Sequence, residues 1–253
     1  MIPEIIHYCW FGQGEMSALE LNCIESWKKH LPDYQIRRWD ESNFDIRLCD
    51  FTKEAYRLNK FAFVSDVCRL FALYHEGGIY LDTDMLLLKS LDDLRHHKFF
   101  LGEEKKGQIN AAIIGAEKNN AIIGNLLGGY KQIKFDHQAP LDIPHYLTIR
   151  LSEEEKAKAS SPEYFYPLPY TKRGEDYLPY LTEKSYTVHL WNHSWKNEWD
   201  YLHDKDFRMA VYSYWKRLMK KPASLIQDAF IKDFSKYLLA DKLGPIYRWY
   251  KKR

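Results

Sequence analysis

Cysteine is scarce in this chain and poorly placed for metal. Cys9, Cys23, Cys49 and Cys68 show no Cys-X-X-Cys spacing, which argues against a structural zinc site. Reduced thiols in a cytoplasmic protein are the simplest account. Long apolar runs are missing too: no uncharged stretch reaches the ~20 residues that a spanning helix needs. The N-terminus lacks the basic region, apolar run and small-residue cleavage site of a signal peptide. No segment reads as a helix that would enter a nucleic-acid groove, so nucleic acid is not an expected partner. A net charge of +2 is too small to choose a partner class.

What is present bounds the answer from the other side. A chain of 253 residues makes one large domain, or one domain with a smaller appendage. Hydrophobic residues make up 45%, enough for a sizeable core. The aromatic share of 16% suits rings that stack on nucleosides or sugars, and equally suits core packing. Charge is unevenly spread. Residues 205–253 hold 13 Lys/Arg against 4 Asp/Glu, a local balance of +9, so the rest of the chain carries −7. That asymmetry divides a main domain over 1–204 from a basic, aromatic helical extension over 205–253.

The stretch Gly77-Gly78-Ile79-Tyr80-Leu81-Asp82-Thr83-Asp84 organises the rest. The two glycines close a preceding helix, and Ile79 to Leu81 form a short buried strand. Asp82 and Asp84 follow at once, before the apolar run Met85 to Leu88. Residues two apart on an extended chain share a face, so both carboxylates are expected at one point beyond the strand's carboxyl end. Ligands of open α/β sheets bind at that edge. Two carboxylates so close call for a cation, and hard oxygen ligands suit Mg²⁺ or Mn²⁺. The alternative is a polar turn between two strands.

The segments around this motif read as an α/β chain. Ile2 to Phe11 is expected as the first strand of a parallel sheet, with Trp10 and Phe11 at its carboxyl end. A ring there can cover a nucleobase, or Trp10 can belong to the core. Ala18 to His30 reads as a helix with Ser17 as a cap, and Tyr34 to Trp39 as the second strand. Phe44 to Lys60 is expected to be mostly helical. Phe61 to Glu76 carries an apolar stripe at helical spacing, with Asp66 and Arg69 three apart. On their own these two make either a surface ion pair or part of a site.

Further on, Leu91 to Arg95 reads as a short helix, Phe99 to Leu101 and Asn110 to Gly115 as strands, and Asn119 to Gln132 as a helix. Residues 133–186 hold six prolines and many tyrosines with little periodicity. Such long loops suit a variable acceptor-binding face.

Two motifs together carry a resemblance. Phe63-Val64-Ser65-Asp66-Val67-Cys68-Arg69-Leu70 followed by Gly77 to Asp84, with the opening Ile2 to Gly12, resembles the sugar-nucleotide glycosyltransferases of family 32. Capsular polysaccharide enzymes and yeast mannosyltransferases belong there, and the large clostridial glucosylating toxins share the pattern. Thr187 to Trp195 (Thr-Val-His-Leu-Trp-Asn-His-Ser-Trp) resembles that family's C-terminal segment.

The resemblance implies a GT-A nucleotide-sugar-binding fold, a mixed α/β sheet flanked by helices, here with C-terminal helical additions. It implies retaining transfer from a nucleotide sugar with Mn²⁺ or Mg²⁺. Trp10 and Phe11 would hold uracil, with Ser194 and Trp195 at the same mouth. Ser65, Asp66, Arg69 and Asn110 would meet the sugar, Asn110 being equally readable as a capping or turn residue. Asp82 would contact ribose, sugar or metal, and Asp84 and His189 would ligate the cation. Asp66, Arg69, Asp82 and Asp84 form the expected catalytic set.

The expected activity is transfer of a hexose from a UDP-sugar to a lipid-linked capsular or other surface glycan. Three rivals stand beside it: a GDP-mannose transferase on the same fold, a nucleotide-sugar hydrolase, and a non-catalytic peripheral scaffold. The basic tail suits an anionic membrane surface, such as the inner face of the plasma membrane, or is an ordinary helical cap with a solvated charged face.

Overall fold

The structure is a computed structural model that describes residues 1–137, 139–192, 201–202, 205–220, 230–231, 233–238 and 241. The chain divides into two compact units, Met1–Asn192 and His193–Arg253. The charge break at residue 205 falls inside the second unit.

The first unit is built on a five-stranded mixed sheet. In chain order its strands are β1 (Ile5–Cys9), β2 (Gln35–Trp39), β3 (Gly78–Leu81), then β5 (Phe99–Lys105) and β6 (Gln108–Ala116). They lie in the spatial order β2-β1-β3-β6-β5. Strands β2, β1 and β3 run parallel, whereas β6 is antiparallel to β3 and β5 to β6. A separate antiparallel pair joins β4 (Met85–Leu87) to β7 (Thr187–His189).

Strand alternation sorts the core onto two faces. Tyr80 and Ile114 point into one cluster, shared with Val67, Leu70 and Leu126, while Ile79, Leu81 and Ile113 point into the other, shared with Trp27 and Met85. The first face is covered by α2 (Asp50–Arg57), α3 (Phe61–Glu76), α4 (Ala121–Tyr130) and α5 (Ile143–Arg150), and the second by α1 (Ala18–His30). This helix-flanked mixed sheet is the GT-A type of layout that the resemblance implies. The expected C-terminal helix is also present, over Phe207–Lys220.

Helices form where capping and apolar spacing agree. Ser17 and Glu20 close a reciprocal capping box at the start of α1, which satisfies backbone donors that the first turn leaves open. Helix α3 matches its expected span, but its buried set includes Val64, Cys68, Ala72 and Leu73 as well as the stripe. It is therefore a central helix, apolar on more than one side.

Other segments differ from expectation. Only Asp50–Arg57 of the 44–60 stretch is α-helical. Before it, Asp40, Asn43 and Asp45 take nearby backbone N–H groups with their side chains, a local bonding that competes with helix. The first strand, Ile5–Cys9, is shorter than its apolar run at both ends, with the chain bending at Gly12 and Gln13, both of positive φ. Strand β5 is longer, since it pairs with β6 through a two-residue loop at Lys106 and Gly107. Residues 133–186 hold α5, α6 (Glu153–Lys156) and α7 (Pro162–Phe165), with single 3-10 turns at Tyr170–Lys172 and Leu178–Tyr180.

Two features fix β3 in place. Gly78 has φ 107, and a Cβ there would stand 2.6 Å from the Ile5 carbonyl oxygen, so only glycine fits without displacing β1. His7, fully buried, bridges strand and helix. Its Nδ1 accepts from the Trp39 indole at 3.0 Å, and its Nε2 donates to the Gly77 carbonyl at 2.7 Å. Burial lowers its proton affinity, against the raising effect of the Gly77 bond. A second proton on Nδ1 would oppose the Trp39 donor.

With its folded value depressed, His7 contributes stability above the ordinary imidazole value of about 6.5 that is lost as pH falls below it. In urea unfolding from pH 8 to pH 5 the wild type is expected to lose stability relative to His7→Gln, which offers a donor and an acceptor without titrating.

Candidate functional site

The acidic motif sits in a turn. Strand β3 ends at Leu81, and the Met85 N–H donates to the Asp82 carbonyl at 3.0 Å, closing a four-residue turn into β4. The two carboxylates come together through this turn and not through strand alternation. The polar-turn reading and the site reading are both realised by the same four residues.

Strand β7 supplies the third group. Its antiparallel register sets His189 opposite Met85, and the Leu190 N–H donates to the Asp84 carbonyl at 3.0 Å. His189 Nε2 then lies 3.2 Å from Asp84 Oδ1. One ligand atom each from Asp82, Asp84 and His189 can be chosen so that all lie within 4.8 Å of one another.

This donor set suits a divalent cation, with two carboxylate oxygens and one imidazole nitrogen, a mixture that fits Mn²⁺ well. A second observation agrees: His189 Nδ1 is a buried polar atom with no hydrogen-bond partner among the described residues. Buried polar atoms normally find a partner, and here the imidazole has one nitrogen, Nε2, on Asp84 and the other unpaired, so the ring's donor capacity is not used up within the fold. Burial works against protonating His189, but Asp84, by charge and hydrogen bond, together with the charges of Asp82 and Glu104, leaves the proton affinity raised. A cation would replace that proton.

Behind the turn lies Arg69, only 5% exposed. Its guanidinium donates to Asp66 at 2.9 Å, to the Ala111 carbonyl at 2.8 Å and to the Ser65 carbonyl at 3.3 Å, and it meets Asp82 Oδ1 at 3.2 Å. It also stands 4.5 Å above the Tyr80 ring, and the Tyr80 hydroxyl donates to Asp82 at 2.8 Å. Asp66 and Arg69 are thus a buried pair tying α3 to β3 and β6, where a surface ion pair was the alternative. Burial pushes the Asp66 carboxyl up to about 7 in spite of Arg69.

The remaining expected site residues fall as follows. Trp10 is half-buried at the end of β1, its indole donating to the Gly14 carbonyl at 2.6 Å. It lines a cleft of about 400 Å³ with Gln13, Met16 and Arg38. Phe11 is buried and packs edge-on against Phe44 in the core. The Ser65 hydroxyl donates to the Phe61 carbonyl at 3.1 Å within α3. Asn110 lies inside β6, where its amide donates to Glu104 at 2.7 Å and accepts from the Ala112 N–H at 2.8 Å. Ser194 and Trp195 lie outside the described residues. A larger cleft of about 790 Å³ runs along Glu41–Arg47 and α2, away from the acidic cluster, and bond geometry is the better guide to the chemistry.

Several residues at the site had no signal in the sequence. The Asn192 backbone N–H donates to Asp84 Oδ2 at 2.7 Å, and its side chain reaches Glu20 at 2.5 Å. Glu20 is read from sequence only as part of a helix start, yet it is buried and links the N-terminus of α1 to the metal-type cluster. Trp191 packs 3.9 Å from His189 between ring centroids and adopts φ 55, a strained value for a bulky residue and a mark of functional positions. Glu104, held by Gln108 and Asn110, contributes to the raised proton affinity of His189.

Comparison with known proteins places these residues in a family context. Residues 17–101 match the family model described as a glycosyltransferase sugar-binding region containing DXD motif. Human lactosylceramide 4-alpha-galactosyltransferase is 30% identical over 148 residues, 51% of this chain and 41% of that protein. Inositol phosphoceramide mannosyltransferase 3 of Schizosaccharomyces pombe is 27% identical over 155 residues, 60% of this chain and 42% of that protein. The chain spans about two fifths of the length of these curated relatives. Among solved structures, one titled PaToxG Glycosyltransferase is 20% identical, with a TM-score of 0.48, covering 62% of this chain and 70% of its own. Trp10, Asn110 and His189 fall outside the matched stretch, whereas Asp66, Arg69, Asp82 and Asp84 fall within it. Over residues 17–101, then, the chain is similar to the glycosyltransferase sugar-binding region containing DXD motif, in agreement with the family resemblance read from the sequence.

Proposed function

We propose that this protein is a retaining, metal-dependent glycosyltransferase that moves a hexose from a UDP-sugar to a hydroxyl of a growing, lipid-linked surface glycan, capsular or similar. The observation that carries the reading is the convergence of Asp82, Asp84 and His189 beside buried Arg69, at the carboxyl edge of a parallel strand. The names of both relatives contain a ceramide, which supports a lipid-linked acceptor. The corresponding place of work is cytoplasmic, at the inner face of the plasma membrane.

In this reading the bond from the anomeric carbon to the diphosphate breaks, and the acceptor oxygen forms the new bond on the same face. The hydroxyl proton leaves with the diphosphate side. Asp82, Asp84 and His189 would hold Mn²⁺ or Mg²⁺, and such a cation offsets charge on the departing diphosphate. Trp10, half-buried at the end of β1, would cover the base, and the family resemblance assigns Ser194 and Trp195, which lie outside the described residues, to the same role. Arg69 holds Asp66 and Asp82 in fixed positions through bonds already made, a preorganised field that needs no rearrangement during transfer. Ser65, Asp66 and Asn110 line the sugar side.

The mannosyltransferase relative favours a second reading, a GDP-mannose donor on the same site. Calorimetric titration separates the two. With Mn²⁺ present, UDP is expected to bind at least tenfold more tightly than without it, a difference of about 1.4 kcal/mol or more, and Asp84→Ala to abolish the difference. Binding of GDP in place of UDP would establish the second reading. If neither nucleotide binds under any condition, the nucleotide-sugar reading falls and a scaffold is left. Rapid release of free sugar from a nucleotide sugar, unaffected by any glycan acceptor, would identify a hydrolase.

Asp66 gives a prediction that needs no substrate. Its folded value of about 7 lies above the ordinary carboxylate value, so its contribution to stability is present at low pH. That contribution is lost as pH rises toward and through 7. His7 contributes a slope of opposite sign over the same range, so the Asp66 contribution is read against Asp66→Asn: from pH 5 to pH 8 the wild type is expected to lose stability relative to the variant. An unchanged slope in the variant would mean that Asp66 stays ionised in the fold.

A further inference from the structure

The second unit contains a helix with two apolar faces, of which the described residues cover one. Helix α8 (Phe207–Lys220) packs Ala210 and Tyr214, with Phe207 and Met209, into a small core that includes Tyr201, Leu202, Phe230 and Phe234. Tyr214 stacks on Phe230 with centroids 4.5 Å apart. On the other side Val211, Tyr212, Trp215 and Met219 are 46%, 54%, 57% and 67% exposed. At 3.6 residues per turn these four fall on a stripe roughly 100° wide, and the exposed Arg208 continues it toward the N-terminus. Core formation accounts for the first face and gives no reason for the second. A contiguous exposed apolar patch marks an interaction surface.

Charge identifies the partner. Helix α8 contains Arg208, Lys216, Arg217 and Lys220 and no acidic residue, within a segment of 13 Lys/Arg against 4 Asp/Glu. We propose that the Val211–Tyr212–Trp215–Met219 stripe docks this protein on an anionic phospholipid bilayer, with α8 lying in the plane of the surface. Tyr and Trp carry apolar rings with a polar atom and partition to the headgroup boundary. The basic residues of this segment would supply the charge that lipid phosphates attract. At 14 residues the helix is about 21 Å long, short of the hydrocarbon thickness, and among the described residues no helix is long and apolar enough to cross a membrane. A second copy of the chain is a poorer occupant, because it would bring one +9 segment against another.

The test is co-sedimentation of the full chain with vesicles of phosphatidylcholine alone or of phosphatidylcholine mixed with phosphatidylglycerol. Binding is expected only with phosphatidylglycerol and is expected to weaken as salt is raised. Trp215→Ala and Met219→Ala together are expected to reduce the partition coefficient on the order of tenfold, and because both side chains are exposed, thermal unfolding should be unchanged. A Val211→Glu variant gives a second loss without removing an aromatic ring. Equal binding to both vesicle types, no binding to either, or wild-type binding by both variants would overturn the proposal. So would loss of concentration-dependent self-association in the variants without any vesicle binding, which would assign the stripe to a second copy. None of these readouts uses a nucleotide or an acceptor, so the surface can fail while the transferase reading stands, and the reverse.

Discussion

The first unit depends on one buried cation. Arg69 draws together Asp66 of α3, Asp82 of the turn and the Ala111 carbonyl of β6. Each of those elements would otherwise bring an unsatisfied polar group into the core. Removing one partner of such a buried pair costs about 3–5 kcal/mol, since the remaining charge is left without solvent or counterion. The guanidinium also lies over Tyr80, whose hydroxyl supports Asp82 from the other side. Lysine could not replace it, because a single ammonium cannot serve carbonyls and carboxylates in several directions at fixed geometry. The position of the acidic turn thus follows from the core and not from the loop that contains it.

Much of this was legible in the sequence, and the reasons are physical. Helices α1 and α3 were readable to the residue, because capping chemistry marks the start of one and paired glycines end the other. Asp82, Asp84 and His189 were readable as a set only through two motifs a hundred residues apart, whose meeting depends on the β4–β7 pairing. The means of convergence was not readable. Asp-X-Asp is compatible with an extended strand and with a turn, and the outcome rests on the bond from Met85 to Asp82, which no local pattern specifies.

The supporting residues were illegible for a different cause. Glu20 has a complete local explanation as the acidic member of a capping box, so nothing in the sequence asks for a second role. Its second carboxylate oxygen nevertheless holds Asn192. Asn110 is readable from the sequence as a sugar contact or as a turn residue, and no local pattern announces its bonds to Glu104 and the Ala112 N–H. Phe11 is expected beside Trp10 as a base-covering ring, and it packs into the core against Phe44 instead. Sequence reading locates residues at an edge of the sheet. It does not say which of two neighbours faces the solvent there.

The site sets a fixed positive charge beside a cluster whose donor atoms could hold a second one. Arg69 is permanent, buried, and held by several described bonds, so it cannot move with a ligand. What it can do is hold Asp66 and Asp82 where they are before any ligand arrives. The Asp82–Asp84–His189 cluster, by contrast, contains an imidazole nitrogen without a partner and a half-buried carboxylate at the sheet edge. A charge bound there is exchangeable. The proposed transfer would use both: a fixed field that costs no reorganisation, and a removable charge to offset the leaving group. The buried arginine and the open cluster share Asp82, which makes that residue the point where a rigid scaffold meets an exchangeable site.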